Sequence, residues 1–134
     1  MIFKIDTKEK FTVITPMSET LSDNLTAELI QTAINYLQKD IRNVVLNFRQ
    51  VQSIDEDAAT RLVKLEQTFY ENNASFVICE IRPLVEEQLK KFNLLDSINV
   101  TPTESEASDI VQMEEIEREL TGDNDFNNSE EEKE

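Results

Sequence analysis

The chemistry open to this chain of 134 residues is set by one run of carboxylates and by what is missing around it. Asp55, Glu56 and Asp57 are consecutive, and a carboxylate pair such as Asp55 and Asp57 is the kind of group that runs general acid/base chemistry or holds a magnesium ion. The chain has no histidine, one cysteine (Cys79) and one glycine (Gly122). Serine-histidine, cysteine-histidine and histidine-zinc catalysis are therefore unavailable, an internal disulfide is excluded, and no glycine-rich loop can cradle a phosphate. No nucleophile sits beside a base. The reading is of a protein that is not an enzyme, with no catalytic residue, metal ligand or cofactor assigned.

The carboxylates lie where the hydrophobic period changes. Val44, Val45 and Leu46 form a short β-branched run of the kind a strand buried on both faces requires. Ala58, Ala59, Leu62, Leu65 and Phe69 recur at helical spacing and predict a helix reaching Tyr70 or Glu71. A strand, a loop and a helix start place Ser53, Ile54, Asp55, Glu56, Asp57 and Ala58 at the carboxyl edge of the sheet, where open α/β folds carry functional loops. A purely structural role fits the same residues. Asp55 is a good N-cap, first-turn carboxylates gain about 0.3–1 kcal/mol each from the helix dipole, and Ser53 with Glu56 makes a capping box one register earlier.

The remaining elements follow in order. Ile2–Asp6 and Phe11–Thr15 predict a hairpin turning at Thr7 to Lys10, and Pro16 ends its second strand. Ser22 or Asp23 caps a helix whose stripe is Leu25, Leu29, Ala33, Ile34 and Leu37, ending near Lys39 and Asp40. After the second helix, Asn72-Asn73-Ala74 can supply the left-handed stop that glycine usually gives. Residues 75–81 predict another buried strand, with Cys79 a small core residue. Arg82-Pro83 opens a third helix with Leu84, Val85, Gln88, Leu89 and Phe92 inward, and Ile98 to Val100 is an edge strand. A cap at Ser105, or a box of Thr103 with Glu106, starts a last helix whose docking stripe is Ala107, Ile110, Val111, Met113, Ile116 and Leu120.

The net charge of -15 is unevenly spread. Residues 104–134 hold 13 acids against Arg118 and Lys133, a balance of -11, which leaves -4 for residues 1–103. Nothing in such a surface displaces counterions from phosphates, so direct nucleic-acid binding is not expected. No apolar run approaches 18 residues and no signal pattern is present, so the expectation is a cytoplasmic protein without membrane insertion. The alternation of strands and helices predicts an α/β fold, a mixed central sheet covered by about four helices over residues 1–120. Residues 121–134 are expected to be a disordered acidic tail.

The run VVLNFRQVQSID with the following Ala58, and the segment VEEQLKKFNLLDSI from Val85 to Ile98, resemble the STAS domain of bacterial anti-sigma factor antagonists. In that family the loop usually reads Asp-Ser-Ser-Gly or Asp-Ser-Ala-Gly, and a partner kinase phosphorylates the first serine. Asp55 matches the family aspartate, Glu56 stands at the serine position, Asp57 at the second small residue and Ala58 at the glycine. Leu21 fits the leucine of a Gly-x-Leu-Asp loop whose glycine and aspartate are here Glu19 and Ser22. The resemblance implies a signalling module in transcription regulation that binds an anti-sigma factor or serine kinase through residues 53–58. No phosphorylation is expected there, and Glu56 is either a permanent phosphate mimic or a helix-start residue. The alternatives are a STAS subunit of a lipid-transport ABC complex or a scaffold STAS protein, and a homodimer is left open.

Overall fold

The computed structural model of the chain describes residues 3–122. Its elements are β1 (Phe3–Thr7), β2 (Thr12–Pro16), α1 (Asp23–Asn35), β3 (Val44–Asn47), α2 (Glu56–Glu71), β4 (Phe76–Cys79), α3 (Pro83–Lys91), β5 (Val100–Thr101) and α4 (Glu104–Gly122). The strands pair in the order β1-β2-β3-β4-β5, with β1 antiparallel to β2 and the remaining pairs parallel. This is the expected mixed α/β architecture with four α-helices. The tail expected over residues 121–134 lies outside the described residues, except that α4 runs on to Gly122.

Alternation along the central strands sends side chains to two different cores. Ile14, Val44, Leu46, Phe76 and Ile78 face α1, α2 and α3, which contribute Leu29, Ala59, Leu62, Phe69, Val85 and others to one large apolar cluster. Val13, Val45, Val77 and Cys79 face the other way, where Ala107 and Val111 of α4 cover them. Because both faces of β3 and β4 are covered, every residue of these two strands is buried, which is why they read as continuous apolar runs.

The ends of the helices follow local chemistry. Ser22, not Asp23, caps α1, its Oγ accepting from the Leu25 amide at 3.2 Å. α1 stops at Asn35 and tightens into a 3₁₀ turn over Tyr36–Gln38, short of the expected Lys39. Thr103 caps α4, accepting from the Glu106 amide at 3.1 Å and donating its hydroxyl to the Glu106 carboxylate at 3.2 Å, so the Thr103 alternative holds and Ser105 lies inside the helix. α2 and α3 end in matching Schellman turns. Asn73 (φ 60°) and Asn93 (φ 62°) take the left-handed position, and the next amides, Ala74 and Leu94, reach back to the carbonyls of Phe69 and Leu89 at 2.9 Å each.

The stripe expected on α4 is only half inward. Ala107 and Val111 are fully buried, but Met113, Ile116 and Leu120 are exposed. Beyond Val111 the inward side of the helix is polar instead, and it closes on Asn43 at the start of β3. The Asn43 Nδ2 donates to the Lys10 carbonyl (2.9 Å) and to Glu115 (2.7 Å), while its Oδ1 accepts from the Ser75 amide (2.7 Å) and from Arg118 (3.3 Å). Arg118 also donates to the Ser75 hydroxyl (3.1 Å) and to Glu115 (3.4 Å). The hydrogen bond from Asn43, with Arg118 beside it, holds the Glu115 carboxyl below the usual range.

Candidate functional site

Three buried apolar side chains, Phe48, Val51 and Ile54, pin the loop between β3 and α2 to the core. Its backbone is tied from two sides. The amides of Gln52 and Ser53 both donate to the Glu19 carbonyl, at 2.7 and 3.1 Å, and Thr20 and Ser53 form a parallel bridge with their hydroxyls 3.3 Å apart. From α3, the Gln88 Oε1 accepts from the Ile54 amide at 2.8 Å. A loop gripped this way presents the helix start behind it in one fixed orientation.

The three carboxylates of that start have different surroundings. Asp55, in extended conformation (φ -96°, ψ 174°), is the N-cap, and its Oδ1 accepts from the Ala58 amide at 2.8 Å. Of the two caps left open by the sequence, the structure uses Asp55, and Ser53 is instead engaged by Thr20. Asp57 pairs with Arg61 one turn on, at 3.1 Å. Glu56 is exposed at the first helical position, and among the described residues no hydrogen bond or salt bridge engages its carboxylate. Ala58 is buried, so its methyl fills the place where the resembled pattern has glycine. The structure thus sets Asp55, Glu56 and Asp57 on one exposed acidic shelf between the buried Ile54 and Ala58, with Ser53 partly exposed before it and one unopposed charge at its centre.

Two exposed apolar side chains lie on the elements that grip the loop. Met17 lies in the β2–α1 loop that grips Ser53, and Leu84 lies one helical turn before Gln88 on α3. Leu84 was expected inward but is exposed. Sequence reasoning missed both, and it missed the clamp by Gln88, which read simply as an inward position of α3.

Elsewhere, Cys79 is buried and its thiol is pushed up to about 12, so it carries no reactive thiolate. A second titratable group joins α2 to α4 around the β5 edge. Glu66 accepts from the Asn99 amide (2.9 Å), the Asn99 side chain donates to the Tyr70 hydroxyl (2.8 Å), and that hydroxyl donates to Glu114 (2.7 Å). Burial, with Glu114 adding repulsion, pushes the Glu66 carboxyl up to about 7, and burial with the Glu114 hydrogen bond raises Tyr70. Among the described residues no group of three or more acidic or cysteine side chains could hold a metal ion, and no helix is long and apolar enough to cross a membrane.

The geometry can be set beside known proteins. A family model described as "STAS domain" matches residues 4–107. No curated protein matches the chain. Among solved structures, a candidate anti-sigma factor antagonist from Thermotoga maritima is 20% identical, with a TM-score of 0.72 over 82% of this chain and 94% of that one. A serine-to-glutamate variant of RsbS from Moorella thermoacetica is 17% identical, with a TM-score of 0.68 over 82% of this chain and 94% of that one. A murine Solute Carrier 26 anion transporter in its inward-facing state is 17% identical, with a TM-score of 0.66 over 81% of this chain but 18% of the transporter. At these identities the likeness is one of fold.

Proposed function

The chain belongs to the STAS domain family, and from that premise we propose that it is a non-enzymatic, cytoplasmic protein-binding module of the anti-sigma factor antagonist type, with Ser53 to Ala58 as its partner-facing loop. Residues 1–120 are the working domain and 121–134 an acidic extension. The observation that carries the reading is the isolation of Glu56. Asp55 is committed to the cap and Asp57 to Arg61, so Glu56 alone offers an uncompensated charge at the serine position of the resembled motif. Phosphorylation there would add about -1.5 to -2, and glutamate supplies about -1 permanently. The loop is therefore fixed in a phosphorylated-like state. Its partner is an anti-sigma factor or serine-kinase-like protein that reads an acidic shelf with apolar contacts at Met17 and Leu84, and any effect on transcription passes through that protein. A neighbouring fold that carries a serine-to-glutamate change supports the idea that such a charge is compatible with this architecture.

The likeness to a segment of an anion transporter favours one second reading, a STAS unit that docks on a transport complex. One titration separates the two. Glu56→Ser with Asp57→Ser rebuilds the family loop and keeps Asp55 as cap, and its affinity for a panel of anti-sigma kinases should differ from that of the natural chain by tenfold or more, about 1.4 kcal/mol. Tighter binding by the variant means the natural loop is held in the released state; weaker binding means the partner reads the acidic shelf itself. Equal affinities, or no binding by either form, overturn the switch and leave the transport-complex reading.

A further inference from the structure

On α4 three large apolar side chains, Met113, Ile116 and Leu120, are exposed at 59%, 56% and 66%. Spacings of three and four put them in one row along the helix, on the side opposite Ala107 and Val111, which face the sheet. Their spacing is that of a docking stripe, yet the sheet takes the other side of the helix. The same row runs back through the exposed acids Asp109 and Glu106, and Glu117 and Glu119 border it, so the apolar strip has an acidic rim.

That rim decides what fits. A second copy of this chain would bring the same acids against it, and residues 123–134, with six acids and one lysine, carry the same sign. Like charges facing each other across an interface cost affinity and suppress the wrong partner, whereas opposite charges steer the right one. We infer that the outer face of α4 is a second docking surface, separate from the acidic loop, for an amphipathic helical segment of a partner protein whose apolar row is bordered by lysine or arginine. The surface lies on the α4 side of the sheet, while the acidic loop begins a helix that packs on the other side. The two surfaces therefore do not overlap.

The test uses the full chain and a labelled synthetic amphipathic helix of leucine and lysine, titrated by fluorescence anisotropy at physiological salt, with the leucine–glutamate counterpart as control. The lysine peptide should bind and the glutamate peptide should not. Met113→Ser with Ile116→Ser, or Met113→Lys alone should the double variant unfold, should weaken binding by tenfold or more. Glu56→Ser with Asp57→Ser should leave it unchanged, so the two proposals fail separately. Equal binding by the Met113 variants would show general charge attraction and overturn the surface, as would no binding by the natural chain. Dimerisation in sedimentation that the Met113 variants abolish would give the face to a second copy, and a gain in binding on truncation after Gly122 would give it to the tail; either result overturns the proposal.

Discussion

The two faces of the sheet are covered by different physics. On one, α1, α2 and α3 bury a continuous apolar cluster in which Phe69 and Phe76 pack with ring centroids 5.2 Å apart. On the other, a single helix contributes Ala107 and Val111 and is then secured by Asn43, Glu115, Arg118 and Ser75. The first face depends on volume, because apolar burial is non-directional and each lost methyl leaves a void. The second depends on geometry, because a buried amide serving four partners cannot lose one without stranding another. The acidic loop belongs to the first regime, since Phe48, Val51 and Ile54 seat it in the apolar cluster.

The largest effect that would test this contrast is Leu62→Ala. Leu62 is buried on α2, and its truncation should cost about 2–5 kcal/mol, read as a fall in urea midpoint, with no change in the pH profile of stability. A cost under 1 kcal/mol would mean that this face is loosely packed and the contrast is false. Asn43→Ala should come next, at about 1–3 kcal/mol, because it removes little apolar surface but strands the Ser75 amide and leaves Arg118 and Glu115 without their centre. Native-state hydrogen exchange should rise in α4 more than in α2. Uniform acceleration would show that the two faces unfold together.

The smallest effect concerns Glu66, which joins the two regimes. Its carboxyl is raised to about 7, so the folded state holds a proton that the unfolded state gives up near the ordinary glutamate value of 4.5. Its contribution to stability is therefore fully present below the unfolded value and is lost as pH rises through about 7. Glu66→Gln should therefore flatten the decline in stability over that interval, though only modestly for a half-exposed group screened by solvent. The groups facing Glu66 are Tyr70 on α2, Asn99 before β5 and Glu114 on α4. An unchanged slope in the glutamine variant would show that another group sets it.

These contrasts also mark what could be read in advance. Wherever packing follows period, the elements were legible: β3 and β4 from continuous apolar runs, α2 from Ala58 to Phe69, and the helix stop at Asn72-Asn73 from asparagine's tolerance of the left-handed region. The loop residues and the cap at Asp55 were legible for the same local reasons. Where position depends on partners far along the chain, period misled. Met113, Ile116 and Leu120 invite a reading as core by their apolarity, yet they lie opposite Ala107 and Val111, and the inner side of α4 continues through the charged pair Glu115 and Arg118, which Asn43 and Ser75 engage. Gln88 carries no sequence sign that it will hold Ile54, and Leu84, one turn before it on α3, is exposed although its spacing read as inward.

The left-handed turns at Asn73 and Asn93 reach beyond the folded molecule. Glycine would adopt their conformation with less strain, but each asparagine restricts the unfolded ensemble more than glycine does. With Gly122 the sole glycine of the chain, almost every peptide unit of the denatured state carries a side chain that narrows its choices. Part of what favours this fold therefore lies in the reduced freedom of the chain it competes against, and exchanging either asparagine for glycine sets relief of local strain against a looser denatured ensemble.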